Sequence, residues 1–209
     1  MMHRLMIPVS VFCLVAGAAF AQTSDLLITE YLEGSGNNKA LEIFNGTEDY
    51  IDLGSYTIEK YANGSTTATS IALTSVDLQP GDTWVIVNTL SEASLLDLAD
   101  QTDANLNFNG DDALVLMFAG TQPVDSFGRV GEDPGDYWAC SEGNTQNHTL
   151  RRLSSICDGD PIVDDVFDPC LEFSFFASDT FSGLGTHIAD CGAVGSDFPT
   201  WGSLKASFR

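Results

Sequence analysis

Positive charge is scarce in this chain: eight lysines and arginines stand against thirty aspartates and glutamates in 209 residues, a formal net charge of −22. A surface this acidic repels phosphate backbones, which nucleic-acid-binding proteins neutralise with Lys and Arg, so autonomous nucleic-acid binding is disfavoured. Histidine is scarcer still. Beyond the first twenty-one residues only His148 and His187 occur, each isolated, and neither belongs to an H-E-x-x-H spacing. G-x-S-x-G and P-loop sequences are missing, which removes the usual signatures of serine hydrolases and nucleotide hydrolases. A glycosidase pair of carboxylates has no diagnostic value here, because thirty acidic residues supply such pairs by chance. No C-x2-C pair is present, which tells against a zinc site. Long apolar runs are confined to the N-terminus, so no later stretch could cross a bilayer.

That N-terminus has the layout of a secretory signal peptide. His3 and Arg4 give it a positive start, residues 5–20 are largely apolar, and Ala19-Phe20-Ala21 is a small-x-small cleavage site. Pro8 and Ser10 interrupt the apolar run, against the alternative of an uncleaved anchor. Cleavage after residue 21 leaves seven basic residues against thirty acidic ones, a net charge of −23, which favours solubility outside the cell. It also removes Cys13 and leaves Cys140, Cys157, Cys170 and Cys191, an even number that predicts two disulfides in an exported chain. Four cysteines allow three pairings and the sequence does not choose among them. A Cys157–Cys170 pair would close the acidic loop between them and leave Cys140 for Cys191.

Extended segments dominate the body. Residues 26–33 open it. In residues 40–44, Leu41 and Ile43 share one face and Glu42 the other, the period-2 pattern of a half-buried strand. Residues 55–61 alternate again before the hairpin signal Asn63-Gly64, and residues 70–73 follow. The turn Gln79-Pro80-Gly81-Asp82 launches the apolar, central strand 83–88. Asn109-Gly110 turns into 113–118, the most apolar strand, with further strands at 124–130, 149–154 and 172–177. Helical spacing is convincing only in residues 91–99, with Ser91 as N-cap and Leu95, Leu96 and Leu98 on one side. The pattern predicts an all-β fold, an antiparallel sandwich with one short helix.

Two stretches carry more information than the rest: GSGNNKALEIFNGT (34–47) and NFNGDDALVLMF (107–118), each joining a Gly/Asn turn to an apolar strand. With LLITEYLEGS (26–35), NGSTTAT (63–69), HTLRRLSS (148–155), FDP (167–169) and DTFSGLGTH (179–187), in this order, the chain resembles the lamin-tail domain as it occurs in secreted bacterial proteins. The resemblance covers residues 26–191. It implies an immunoglobulin-like β-sandwich that serves as a binding or structural module rather than a catalyst. It also implies habitual company, since such domains occur beside extracellular nuclease, phosphatase or surface-anchoring domains. The expected organisation is a signal peptide (1–21), one lamin-tail-like sandwich (22–191), and a linker with a short C-terminal tail (192–209).

The acidic loops are the candidate sites. Asp111 and Asp112 follow the second motif, Glu132, Asp133 and Asp136 share a loop, and Asp158, Asp160, Asp164, Asp165 and Asp168 crowd between two cysteines. Calcium takes six to eight oxygens, which carboxylates and loop carbonyls can supply, so this last group is the candidate calcium loop. Against it, no segment matches the EF-hand pattern, and Asp is also what turns prefer. Arg151 and Arg152 point to opposite sides of a strand, so one faces inward and pairs with a carboxylate of an acidic loop; Lys39 takes a similar structural role. Trp84 is assigned to the core; Tyr137 and Trp138 lie beside a loop and are also assigned to the core, with a contact patch as the alternative. The functional expectation is a non-catalytic module with an extracellular or cell-surface protein or polysaccharide as partner. Its rivals are an accessory targeting module of an extracellular nuclease or hydrolase, and a small hydrolase in its own right.

Overall fold

Twelve strands and two single-turn α-helices lie within residues 23–191, the residues this computed structural model describes. The predicted signal peptide and the predicted tail fall outside them. In chain order the elements are β1 (Leu26–Glu33), β2 (Lys39–Asn45), β3 (Ile51–Asp52), β4 (Tyr56–Tyr61), β5 (Thr69–Ala72), β6 (Asp77–Leu78), β7 (Thr83–Val87), α1 (Ala93–Leu96), β8 (Gln101–Thr102), β9 (Ala113–Phe118), β10 (Gln122–Phe127), β11 (His148–Arg152), α2 (Pro169–Glu172) and β12 (Phe173–Ala177). They form a six-stranded sheet in the order β12-β11-β1-β2-β7-β8 and a four-stranded sheet β10-β9-β4-β5, with β3 and β6 paired at the side. All pairings are antiparallel except β7 with β8. The sandwich expected from alternation is the fold observed.

Alternating residues of both sheets close over one interior. Leu26, Ile28, Leu41, Ile43, Ile86 and Leu150 from the larger sheet meet Ile58, Ile71, Leu114, Leu116 and Phe127 from the smaller one. Each such fully buried side chain contributes roughly 1.5–3 kcal/mol. A bulge in β1, where the register slips between Ile28 and Glu30, flips the phase of alternation. Tyr31 thereby continues the inner face and Glu30 is turned to the outer one. Tyr31 stacks between Phe108 and Phe127 at centroid distances of 4.7 and 4.0 Å, and its hydroxyl donates to the Asn109 carbonyl at 3.1 Å.

The outer face of the larger sheet departs from the expectation of a half-buried strand. Every residue of β1 and β2 is buried, Glu42 included. The reason is a second apolar layer: Leu95 of α1, with Phe181 and Leu184 of the segment after β12, packs over Leu32, Ala40, Val85 and Val87. Periodicity reads one wet face and cannot see a distant segment return to cover it.

The expected helix over 91–99 is a single turn. Its N-cap is Glu92, Leu98 is exposed, and the Ser91 hydroxyl donates to the Asn37 carbonyl at 2.9 Å instead of capping. A second turn, α2, begins at Pro169, where the Asp168 carboxylate accepts from the Cys170 N–H at 3.0 Å. Asn63 and Gly64 both have positive φ, as the hairpin signal requires, whereas Gly110 does not. Glycine is needed there for close approach: a Cβ would meet the Gln146 Cα at 2.8 Å.

Two disulfides form, but they pair Cys140 with Cys170 and Cys157 with Cys191. This corrects the Cys157–Cys170 and Cys140–Cys191 arrangement. The capped turn at Asp168 brings Cys170 to the loop bearing Cys140, while the Asp190 N–H donates to the Ser154 carbonyl at 2.6 Å and lands Cys191 beside Cys157. Non-reducing peptide mapping should recover these two pairs. Replacing Cys140 and Cys170 together by serine should cost about 2–4 kcal/mol of stability, read from chemical unfolding.

Candidate binding cleft

The most informative sequence segments converge at one end of the sandwich. Glu33 ends β1 and Lys39 begins β2, and the loop between them is tied down from several sides. The Gly34 N–H donates to the Asn38 carbonyl at 2.7 Å, and Gly36 takes the left-handed φ of +58° that closes the loop. The Asn38 side chain accepts from the Glu92 N–H at 2.9 Å and donates to the Asp179 carboxylate at 3.0 Å. Asp179 also accepts from the Ser35 N–H at 2.9 Å, and a Cβ on Gly34 would overlap that carboxylate. The GSGNN run is therefore a braced loop rather than a free hairpin tip.

Opposite it stands the second motif. Asp112 pins this loop by accepting from the Asn109 N–H at 3.1 Å and the Asn63 N–H at 3.0 Å. Burial raises its pKa, and those two N–H groups partly offset the rise. Between the motifs lies a polar cleft of roughly 400 Å3. Glu33 and Lys39 form its floor, Phe108 and Asn88 part of its wall, and Asn37, Asn107, Asn109 and Asn147 its exposed rim.

The floor is a buried ion pair. The Lys39 ammonium lies 3.3 Å from the Glu33 carboxylate and donates to the Gly34 carbonyl at 2.9 Å. Lysine carries three N–H donors, so one is left without a protein acceptor among the described residues. Burial raises the Glu33 pKa, opposed by the Asn147 N–H and by Lys39. On the rim, the Lys60 ammonium donates to the side-chain Oδ1 of Asn107, and the Asn109 side-chain amide donates to Asp111 at 3.3 Å. Asn88 is consumed by the fold, donating to the Leu106 carbonyl at 3.1 Å and accepting from the Leu90 N–H at 2.8 Å. The Asn107 amide donors and the side chains of Asn37 and Asn147 make no hydrogen bond to the described protein.

A family model described as Lamin Tail Domain matches residues 19–131, more than half of the chain. The chain belongs to the lamin tail domain family. No curated protein matches it. In this lamin tail domain, β1, β2 and both cleft motifs lie inside the matched segment, whereas β11, α2, β12 and all four cysteines of the disulfides lie beyond it.

The other sequence candidates have definite places. Of the candidate calcium loop, Asp160 accepts from the Ile162 N–H at 2.9 Å, Asp168 caps α2, and Asp158, Asp164 and Asp165 are exposed. The five carboxylates do not converge: among the described residues the one group with donor atoms within 4.8 Å of each other is Cys140, Asp168 and Cys170, and its cysteines are disulfide-bonded. Asp164 does meet Glu132 and Asp133 around a shallow cleft, but Arg129 occupies it, paired to Glu132 at 2.6 Å. A guanidinium in that position repels a second cation.

His148 Nδ1 lies 2.6 Å from the Gln146 carbonyl, and His187 packs edge-on against Phe44, its pKa pushed down to about 4 by burial and by Arg152. Neither is hydrogen-bonded to a side-chain nucleophile among the described residues. The paired arginines divide as the strand requires, with a correction to their partners. Arg152 faces inward to Asp125 of β10 and Glu172 of α2, and Arg151 outward to Glu30 of β1, so neither takes a carboxylate from an acidic loop. Trp138 is buried and Trp84 packs on the core, but Tyr137 is exposed. Asp125 is an important residue that the sequence hardly marks; an aspartate in the middle of strand-like alternation is its only signal.

Proposed function

We propose that this lamin tail domain is an exported, non-catalytic interaction module that engages an extracellular or cell-surface protein or polysaccharide through the cleft between its two motifs. The observation that carries this reading is their convergence: two braced loops, distant in sequence, present unpaired amide groups over a buried ion pair. Export is supported by the layout of residues 1–21 and is compatible with two disulfides, which persist in oxidising compartments. No helix among the described residues is long and apolar enough to cross a membrane. A non-catalytic role is supported by the histidines, one held by a local carbonyl and one kept neutral against a phenyl ring.

The test is a binding assay of the chain without residues 1–21 against envelope fractions, polysaccharide and DNA, run beside nuclease and esterase assays with and without Ca2+ or Mg2+. Retention by envelope or polysaccharide without turnover supports the reading. A histidine-dependent turnover that survives repurification overturns it, and retention only with a separate hydrolase would favour the accessory role. Calcium is not required by this account: the thermal midpoint should be the same in chelator and in millimolar Ca2+. A rise in Ca2+ would instead establish a folded-state site, with residues 158–168 the first to mutate.

A further inference from the structure

The chemistry of the cleft narrows the class of ligand. Lys39 and Glu33 neutralise each other on its floor, 3.3 Å apart, so the site has no charge left with which to select an anion or a cation. The chain's net charge of −22 further opposes anions, and the ammonium of Lys60, held at Asn107, opposes cations. Its polar lining gives an apolar ligand little to bury, since Phe108 is the one large apolar side chain in it. What remains is a set of neutral amides and one spare ammonium proton. Amides both donate and accept, and the ligand that answers with closely spaced groups that both donate and accept is a ring of vicinal hydroxyls.

We propose that the cleft rimmed by Asn37, Asn107, Asn109 and Asn147 binds a neutral glycan. This rests on the cleft being the interaction surface and names its ligand class. Lys39 contributes its free N–H to a sugar hydroxyl from below, Asn107 and Asn147 clamp from the side of the second motif and β11, and Asn37 closes from the β1–β2 loop. The roughly 400 Å3 volume admits a mono- or disaccharide unit rather than a long chain segment. With no exposed aromatic among its lining residues to stack on the sugar face, the site relies on hydrogen bonds, so single-unit affinity is weak and repeating glycans gain from multiple contacts.

Asn37→Ala with Asn147→Gly tests the proposal without disturbing the fold. Both side chains are exposed, and Asn147 sits at φ +52°, which glycine adopts freely. An array of neutral and acidic glycans, followed by titration calorimetry with the best neutral oligosaccharide, should show binding by the wild type and a loss of about tenfold or more in the double variant. Neutral-glycan binding that the double variant retains in full would overturn the site. Binding of only an acidic glycan or a protein, lost in the same variant, would overturn the ligand class and leave the cleft as interaction surface. Silence on every glycan together with silence on envelope fractions would overturn both readings.

Discussion

Replacing Arg152 by methionine should lower stability by about 3–5 kcal/mol, which for a domain of this size is a fall of roughly 10 °C or more in Tm. Arg152 is the inward-facing arginine of β11, fully buried, with both oxygens of Asp125 within 3.0 Å of its Nη2 and the Ile28 carbonyl 2.7 Å from its Nε. Asp125 is equally buried and accepts from the N–H groups of Ile28, Ser126 and Asp160 as well. One guanidinium therefore joins the two sheets where a bulge in β1 faces a bulge in β10, and also holds Glu172 of α2 at 3.3 Å. Its removal strands a carboxylate with no access to water, and the penalty is that desolvated charge rather than the lost attraction. The double substitution Arg152→Met with Asp125→Asn should recover part of the loss, because no charge is then buried and the amide oxygen can still accept from the backbone N–H groups around it. Urea unfolding of the wild type and the two variants measures this; equal destabilisation by the single and double changes would mean that the bulge geometry, not the charge, is what Arg152 supports.

Glutamine at position 30 should stabilise the domain above neutral pH although it removes half of an ion pair. Glu30 and Glu42 are directly opposite on β1 and β2, both buried, with Arg151 the cation near them, 2.9 Å from Glu30. Thr29 donates to Glu42 at 2.7 Å, Gly185 donates to it at 2.7 Å, and Gly183 lies so close that a Cβ would overlap both Glu30 and Arg151. Burial, opposed by Arg151 and aided by Glu42, pushes the Glu30 pKa up from 4.5 to about 7. A carboxyl whose pKa is raised by folding holds its proton more tightly in the folded state. Its stabilising contribution is thus complete below about 4.5 and is lost as pH rises through about 7. Glu30→Gln keeps the neutral shape at every pH. Its Tm should match the wild type near pH 4.5 and exceed it at pH 8 by about 5–10 °C, the equivalent of 2–3 kcal/mol. His187 works in the opposite direction, losing stability as pH falls through about 4, but it is common to both proteins and cancels in the difference. A variant less stable than wild type at pH 8 would show that the Arg151 attraction outweighs the cost of burying two glutamates.

Local patterns were legible where one rule decided the outcome. Alternation located β4, turn signals leading into apolar runs located β7 and β9, and Asn63-Gly64 formed its turn, because side-chain period and φ preference act within a few residues. Errors cluster where distant segments meet. Glu42 read as solvent-facing until Phe181 and Leu184 returned over it, and Ser91 read as a cap until the Asn37 carbonyl took its hydroxyl. The cysteine pairing depended on the turn at Asp168 and on the return of Asp190 beside Ser154. The two motifs that identified the family were visible from the start. Their meeting across a cleft was not, because nothing local in residues 34–38 or 107–112 says which loop lies opposite. Asp125 illustrates the same limit, since its main partners, Arg152 and the Ile28 N–H, lie on the other sheet and far away in sequence.

The most direct measurement of the binding account is a two-dimensional 1H–15N spectrum of the chain without residues 1–21, recorded while a neutral oligosaccharide from the array is added. Binding in the cleft should produce progressive shifts confined to residues 33–39, 107–112 and 147, with Lys39 and Asn107 among the largest. Shifts centred on another surface, such as residues 158–168 or the exposed edge of β5, with the cleft unmoved, would contradict it.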